Sequence, residues 1–156
     1  MKCKLLRLML ITVSSASLLI AQTSSGPQKG TLILTGGGFG TGIIERFVTL
    51  AGGPDADFVY IPTASSGIKL DSGFIYSPPD TDTPAANTGE FEQELCKMFG
   101  VKRITVLHTR NRETANSETF VAPLRKANGV WFSQGNAGRL ASAYLDTLMY
   151  RDRGCD

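Results

Sequence analysis

Cysteine, histidine and tryptophan are scarce in this chain, with three, one and one among 156 residues. Three cysteines are too few for a disulfide scaffold, and their positions lack the paired spacing of a zinc site. Charge of one sign is also lacking. The 16 Lys and Arg nearly cancel the 14 Asp and Glu, for a formal net charge of +2, whereas a nucleic-acid-binding domain carries a dense basic stripe. No apolar run reaches the 18 residues of a membrane span. What remains is a globular composition, 42% hydrophobic and 19% charged, in a length that suits one domain.

The N-terminus reads as an address. Residues 1–7, MKCKLLR, carry three positive charges and no acid, and an apolar stretch diluted by Ser and Thr follows from Leu8 to Ala21. As a helix this stretch is about 21 Å long, short of a hydrocarbon core of roughly 30 Å. A basic start, a short apolar run and small residues behind it describe a secretory signal peptide over residues 1–22. Cleavage near Ala21 or at Thr23-Ser24-Ser25 would leave no stable membrane insertion and place the product in a secreted or periplasmic location; the alternative is an uncleaved anchor. Without Lys2, Lys4 and Arg7, 13 basic residues face 14 acidic ones, which strengthens the case against nucleic acid. Cys3 leaves as well, and the pairing of Cys96 and Cys155 stays open.

The body alternates between two periods. TLILT at 31–35 reads as a strand closed by Gly36-Gly37-Gly38. Ile43, Ile44, Phe47, Val48 and Ala51 then recur at helical spacing up to Gly52-Gly53-Pro54. DFVYI at 57–61 is a second strand. From Ser65 to Gly89 no period is sustained, so a long loop is expected there, with a helical turn near its start; such loops are either functional or tolerated insertions. Phe91, Leu95, Met98 and Phe99 mark a second helix ended by Gly100, and RITVL at 103–107 a third strand. Phe120, Val121, Leu124 and Ala127 share one side of a third helix. VWF at 130–132 opens a fourth strand, and Leu140, Ala141, Tyr144, Leu145 and Leu148 belong to a fourth helix. Four strand–helix units predict an α/β fold with a mainly parallel sheet between helical layers.

Ligands of such sheets sit beyond the carboxyl ends of the strands. The glycine cluster there, GGGFGTG, satisfies neither G-x-G-x-x-G nor a Walker A loop, so no nucleotide cofactor is expected. Gly37 and Gly38 let either a ligand or a second loop approach the backbone. His108, the only histidine, reads as a local hydrogen-bonding partner or as a base, and no second soft ligand makes it a metal site. The segment GVWFSQGNAGRLAS at 129–142 is richer. It runs from a strand through Gly135-Asn136 into a helix whose first turn carries Arg139. Backbone N–H groups at such a corner can stabilise an oxyanion, and Arg139 can hold a carboxylate through two parallel hydrogen bonds. An ordinary strand-to-helix corner with a surface arginine explains the same residues.

Four segments in order, GTLILTGGG, FVYIPTAS, RITVLHTRNRETANSETF and GVWFSQGNAGRL, resemble the cyanophycinase and aspartyl dipeptidase (dipeptidase E-like) family of serine peptidases over residues 30–150. The resemblance implies a three-layer α/β/α fold similar to class I glutamine amidotransferases, and hydrolysis of aspartyl or β-aspartyl-arginine bonds without a cofactor or metal. It places Gly135, Asn136, Arg139 and Leu140 on the family's Gly-Gly-Asn/Asp-Gln-x-Arg-Leu corner, with Gln134 in place of a glycine and Ala137 in place of the glutamine. Gly37, Gly38, Gly135, Asn136 and Arg139 are thereby the oxyanion or substrate-binding candidates, and an aspartyl peptide or cyanophycin-like substrate the expected partner. The family's serine sits on a glycine-flanked strand-to-helix turn, and no such stretch occurs among the 156 residues. Nucleophile, base and acid are therefore expected beyond residue 156, residues 151–156 depart from the family as a tail, and the domain is expected to be truncated and inactive alone. The alternatives are a non-catalytic module that binds aspartyl peptides and a truncated gene product without function.

Overall fold

The computed structural model describes residues 30–36, 40, 42–81 and 85–151. The signal-peptide expectation for residues 1–22, Gly37 and Gly38, and residues 152–156 of the tail lie outside them. The framework is a parallel sheet of three strands, β1 (Phe58–Ile61), β4 (Ile104–Val106) and β5 (Gly129–Phe132), in the order β4-β1-β5. β1 is central and all four of its residues are buried. Phe58 lies opposite Ile104 on one side and Gly129 on the other.

Alternation along β1 splits the interior into two cores, because successive side chains of a strand point to opposite faces. Phe58 and Tyr60 enter one core, with Val48, Phe91, Leu95 and Phe99. These come from α1 (Ile43–Leu50) and α2 (Thr88–Phe99). Val59 and Ile61 enter the other, against α3 (Arg112–Ala115), α4 (Glu118–Lys126), α5 (Ala137–Tyr144) and α6 (Leu148–Arg151). Helices on both faces of a parallel sheet make an α/β arrangement compatible with three layers. Phe47 of α1 ties the first core together, with ring centroids 5.5 Å from Phe58 and 5.2 Å from Trp131.

Local chemistry explains the helix limits. Phe91, Leu95 and Phe99 recur every four residues and form the buried stripe of α2. Gly100, with φ of +65°, then turns the chain left-handed, and Val101 N–H returns to the Cys96 carbonyl at 3.0 Å. Side chains of Asn111, Ser117 and Asn136 accept backbone N–H groups at the starts of α3, α4 and α5.

Two expectations are corrected. Residues 31–35 form no strand, and Leu32 and Leu34 are 67% and 84% exposed. An apolar β-branched run becomes a strand only where a neighbour pairs its backbone and a layer covers its side chains, and neither reaches this segment among the described residues. The stretch from Ser65 to Gly89 contains an antiparallel ribbon, β2 (Ile68–Lys69) with β3 (Ile75–Tyr76), in place of the helical turn. Tyr76 buries its ring on Phe91, with centroids 4.1 Å apart and planes nearly parallel. Phe74 stacks on the same Phe91 ring at 6.2 Å, so aromatic contacts with Phe91 fold the excursion onto α2, and two-residue strands are too short to show a period.

Candidate functional site

The site candidates gather beyond the carboxyl end of the sheet, where the chain leaves β1, β4 and β5. The Ala64 carbonyl is the hub. It accepts Asn136 N–H at 2.9 Å and an Arg139 guanidinium N–H at 3.4 Å. Gly135 lies so close that a Cβ built on it would stand 2.2 Å from the same oxygen, and its φ is +147°. Only glycine fits, because the contact is with backbone that cannot swing aside and the conformation is one that side chains disfavour. The sequence marks Gly135 as a corner residue; that it touches the end of β1 is a tertiary fact.

Asn136 then starts α5, its Oδ1 accepting Gly138 N–H at 2.7 Å. Arg139 N–H returns to the Asn136 carbonyl at 3.0 Å. The corner therefore uses most of its own donors, and the amides of Gly135 and Ala137 are the ones left without a partner among the described residues. Gln134 is exposed. Gly135, Asn136 and Arg139 lie together at this corner, while Gly37 and Gly38 lie outside the described residues.

The other end of α5 is locked by a polar chain. The Pro79 carbonyl can only accept, so the His108 Nε2 that lies 2.8 Å from it carries a proton. In the neutral ring Nδ1 then accepts from Thr63 Oγ1 at 2.7 Å, and Thr63 Oγ1 accepts from the Tyr144 hydroxyl at 2.6 Å. The Tyr144 oxygen takes Thr109 N–H at 3.3 Å. Burial raises the Tyr144 hydroxyl above its usual pKa, while Thr109 N–H and the charge of Arg110 pull it back.

A hydroxyl on a histidine nitrogen is the geometry of an activated nucleophile. Here it does not serve as one. Thr63 is completely buried and its oxygen is already shared with Tyr144, so no substrate carbon can reach it. Of the other hydroxyls at the strand ends, Ser65 Oγ is bound to the Gly67 carbonyl at 2.7 Å, and Ser133 Oγ is buried without a partner among the described residues. His108 acts as a local hydrogen-bonding residue that joins the ends of β1 and β4, the excursion and α5.

Beside the corner opens a cavity of about 310 Å³, lined by Arg110, Asn136, Gly138, Arg139, Ser142 and Ala143. Sequence reading sets Arg110 at a strand end without making it one of the binding candidates, and the structure brings it to the same cavity. Its place in His108-Thr109-Arg110, just past β4, is the signal, because neighbouring strand ends of a parallel sheet converge. No family model matches the chain, and no curated protein matches it either.

Proposed function

We propose that this chain is the N-terminal, substrate-holding part of a secreted serine-type peptidase resembling cyanophycinase, acting on aspartyl or β-aspartyl-arginine peptides and inactive as the 156 residues stand. The observation that carries the reading is the corner itself. Gly135 packed on the end of β1, the Asn136 cap and Arg139 beside a cavity suit the recognition of a substrate carboxylate at the strand ends. The amides of Gly135 and Ala137 are the ones available to a developing oxyanion. A second reading, a non-catalytic module for aspartyl peptides, is favoured by the burial of Thr63, which leaves no described hydroxyl activated by a histidine.

Titration of the purified chain with β-aspartyl-arginine tests both. Saturable heat without release of arginine is expected, and Arg139→Ala weakens binding by about tenfold or more, the scale of a hydrogen bond to a charged group. No saturable binding at millimolar peptide removes the peptide reading. Release of arginine by the 156-residue chain contradicts its inactivity.

A further inference from the structure

Arg110 and Arg139 arrive at one cavity from different strand ends, Arg110 from the turn after β4 and Arg139 from the first turn of α5. Their carboxylate contacts differ. Among the described residues Arg139 has no carboxylate partner and makes only the long bond to the Ala64 carbonyl. Arg110 has Asp80 beside it, with Nε 3.0 Å from Oδ1. The pair is close in charge but poorly aligned, since Arg110 Nε is buried and makes no hydrogen bond that meets the angular requirement. Asp80 itself is 85% exposed in its side chain and sits on the excursion next to Pro79, whose carbonyl His108 holds.

From this arrangement we infer that Arg110 and Arg139 together bind a ligand carrying two carboxylates, and that Asp80 occupies, as a weak internal substitute, the place of the carboxylate that belongs on Arg110. The inference deepens the proposed function, since an aspartyl peptide has two carboxylates, and it rests on that reading only for the identity of the ligand. A guanidinium presents parallel donors that match a carboxylate through two bonds. Asp80 meets Arg110 without such alignment. A ligand carboxylate that approaches in line gains the bonds Asp80 lacks, and Asp80 withdraws into solvent at little cost because its own side chain is 85% exposed and its approach to Arg110 is misaligned. Asp80, in a stretch the sequence shows only as a long loop, thereby regulates access to the second arginine.

Calorimetry on the full chain at constant low ionic strength, with succinate as the probe, tests the site. Succinate binds saturably and at least tenfold more tightly than acetate, and the neutral isostere succinamide does not bind. Asp80→Asn tightens succinate about two- to fivefold, the range of a weakly coupled pair, while Arg110→Gln and Arg139→Ala each weaken it about tenfold or more. Asp80 is exposed, so its variant keeps the fold; a thermal melt of the Arg110 variant checks the same there. Equal affinity for succinate in the wild-type and Asp80→Asn chains, or unchanged binding in Arg110→Gln, overturns the inference. Inorganic phosphate binding more tightly than succinate overturns the ligand class. If succinate behaves as expected and β-aspartyl-arginine does not bind, the two-arginine site stands and the peptide reading falls. If the peptide binds and Asp80→Asn changes nothing, the reverse holds.

Discussion

Along β4 the backbone amides that face away from β1 belong to Ile104 and Val106, and α2 supplies a partner to each. Glu92 Oε1 accepts Val106 N–H at 2.7 Å, and the Cys96 thiol stands near the Ile104 amide, which lowers its pKa. Along β5 the corresponding amides are those of Val130 and Phe132, and no partner meets them among the described residues. Phe132 is 46% exposed. One edge of the sheet is thus covered by α2, whose Glu92 and Cys96 stand a helical turn apart against alternate residues of β4, and the other is open among the described residues. An open edge is a template for further pairing. Strand β5 is nevertheless held firmly at its carboxyl end, where Gly135 meets Ala64. The sheet invests its precision at the strand ends, where the candidate site lies, and at the β4 edge.

The largest expected effect comes from breaking the fixed end of the open strand. Gly135→Ala places a methyl group into the Ala64 carbonyl and forces a side chain into a disfavoured conformation, costing about 3 kcal/mol or more in chemical denaturation. A melt within 0.5 kcal/mol of the wild type would show that the corner relaxes and that its geometry is no constraint. The same variant should lose binding at Arg139 in parallel, because Asn136 and Arg139 both hang on that carbonyl.

Opening the closed edge comes next. Glu92→Ala leaves Val106 N–H without its acceptor and is expected to cost about 1–3 kcal/mol. Cys96 reports on the same edge. Burial raises its thiol above the ordinary value, Ile104 N–H pulls it back, and the charge of Glu92 raises it further. The folded chain therefore holds the thiol proton to higher pH than the unfolded chain. Any stability linked to it is complete at neutral pH and lost as pH rises through the folded thiol's pKa. Alkylation by iodoacetamide should accordingly be slow at neutral pH, accelerate with pH, and run faster in Glu92→Ala. Equal rates in the two chains would mean that the carboxylate does not close the edge.

The smallest effect is expected on the open side. Leu32→Ser with Leu34→Ser removes exposed apolar surface that makes no strand, so stability should change by no more than about 0.5 kcal/mol. A loss of several kcal/mol would show that residues 31–35 cover β5 in solution, and the contrast between the two edges would disappear.

Legibility followed how local each feature is. The stripe of α2, its end at Gly100, the core run of β1 and the Asn136–Arg139 helix start all show in the sequence, because periodicity and cap chemistry act within a few residues. The failure at TLILT has the opposite cause. Its composition is that of a strand, yet pairing requires a partner, and composition carries no record of one. The β2–β3 ribbon was hidden because each strand is two residues long and its stability comes from Tyr76 on Phe91. Within the site, Gly135, Asn136 and Arg139 were legible as one segment. Asp80 and the meeting of Arg110 with the corner were not, since Asp80 and Arg110 lie 55 and 25 positions before Gly135.

The sequence by itself determined the alternation of elements, the near-neutral charge, the corner residues and the absence of a glycine-flanked serine, since each is a property of composition or of near neighbours. Tertiary structure alone decided which sheet edge is closed, that Ala64 is the contact requiring Gly135, that Thr63 is sealed away from substrate, and that two arginines share one cavity. Those facts depend on which distant segments meet, and that is set by burying both faces of β1 at once.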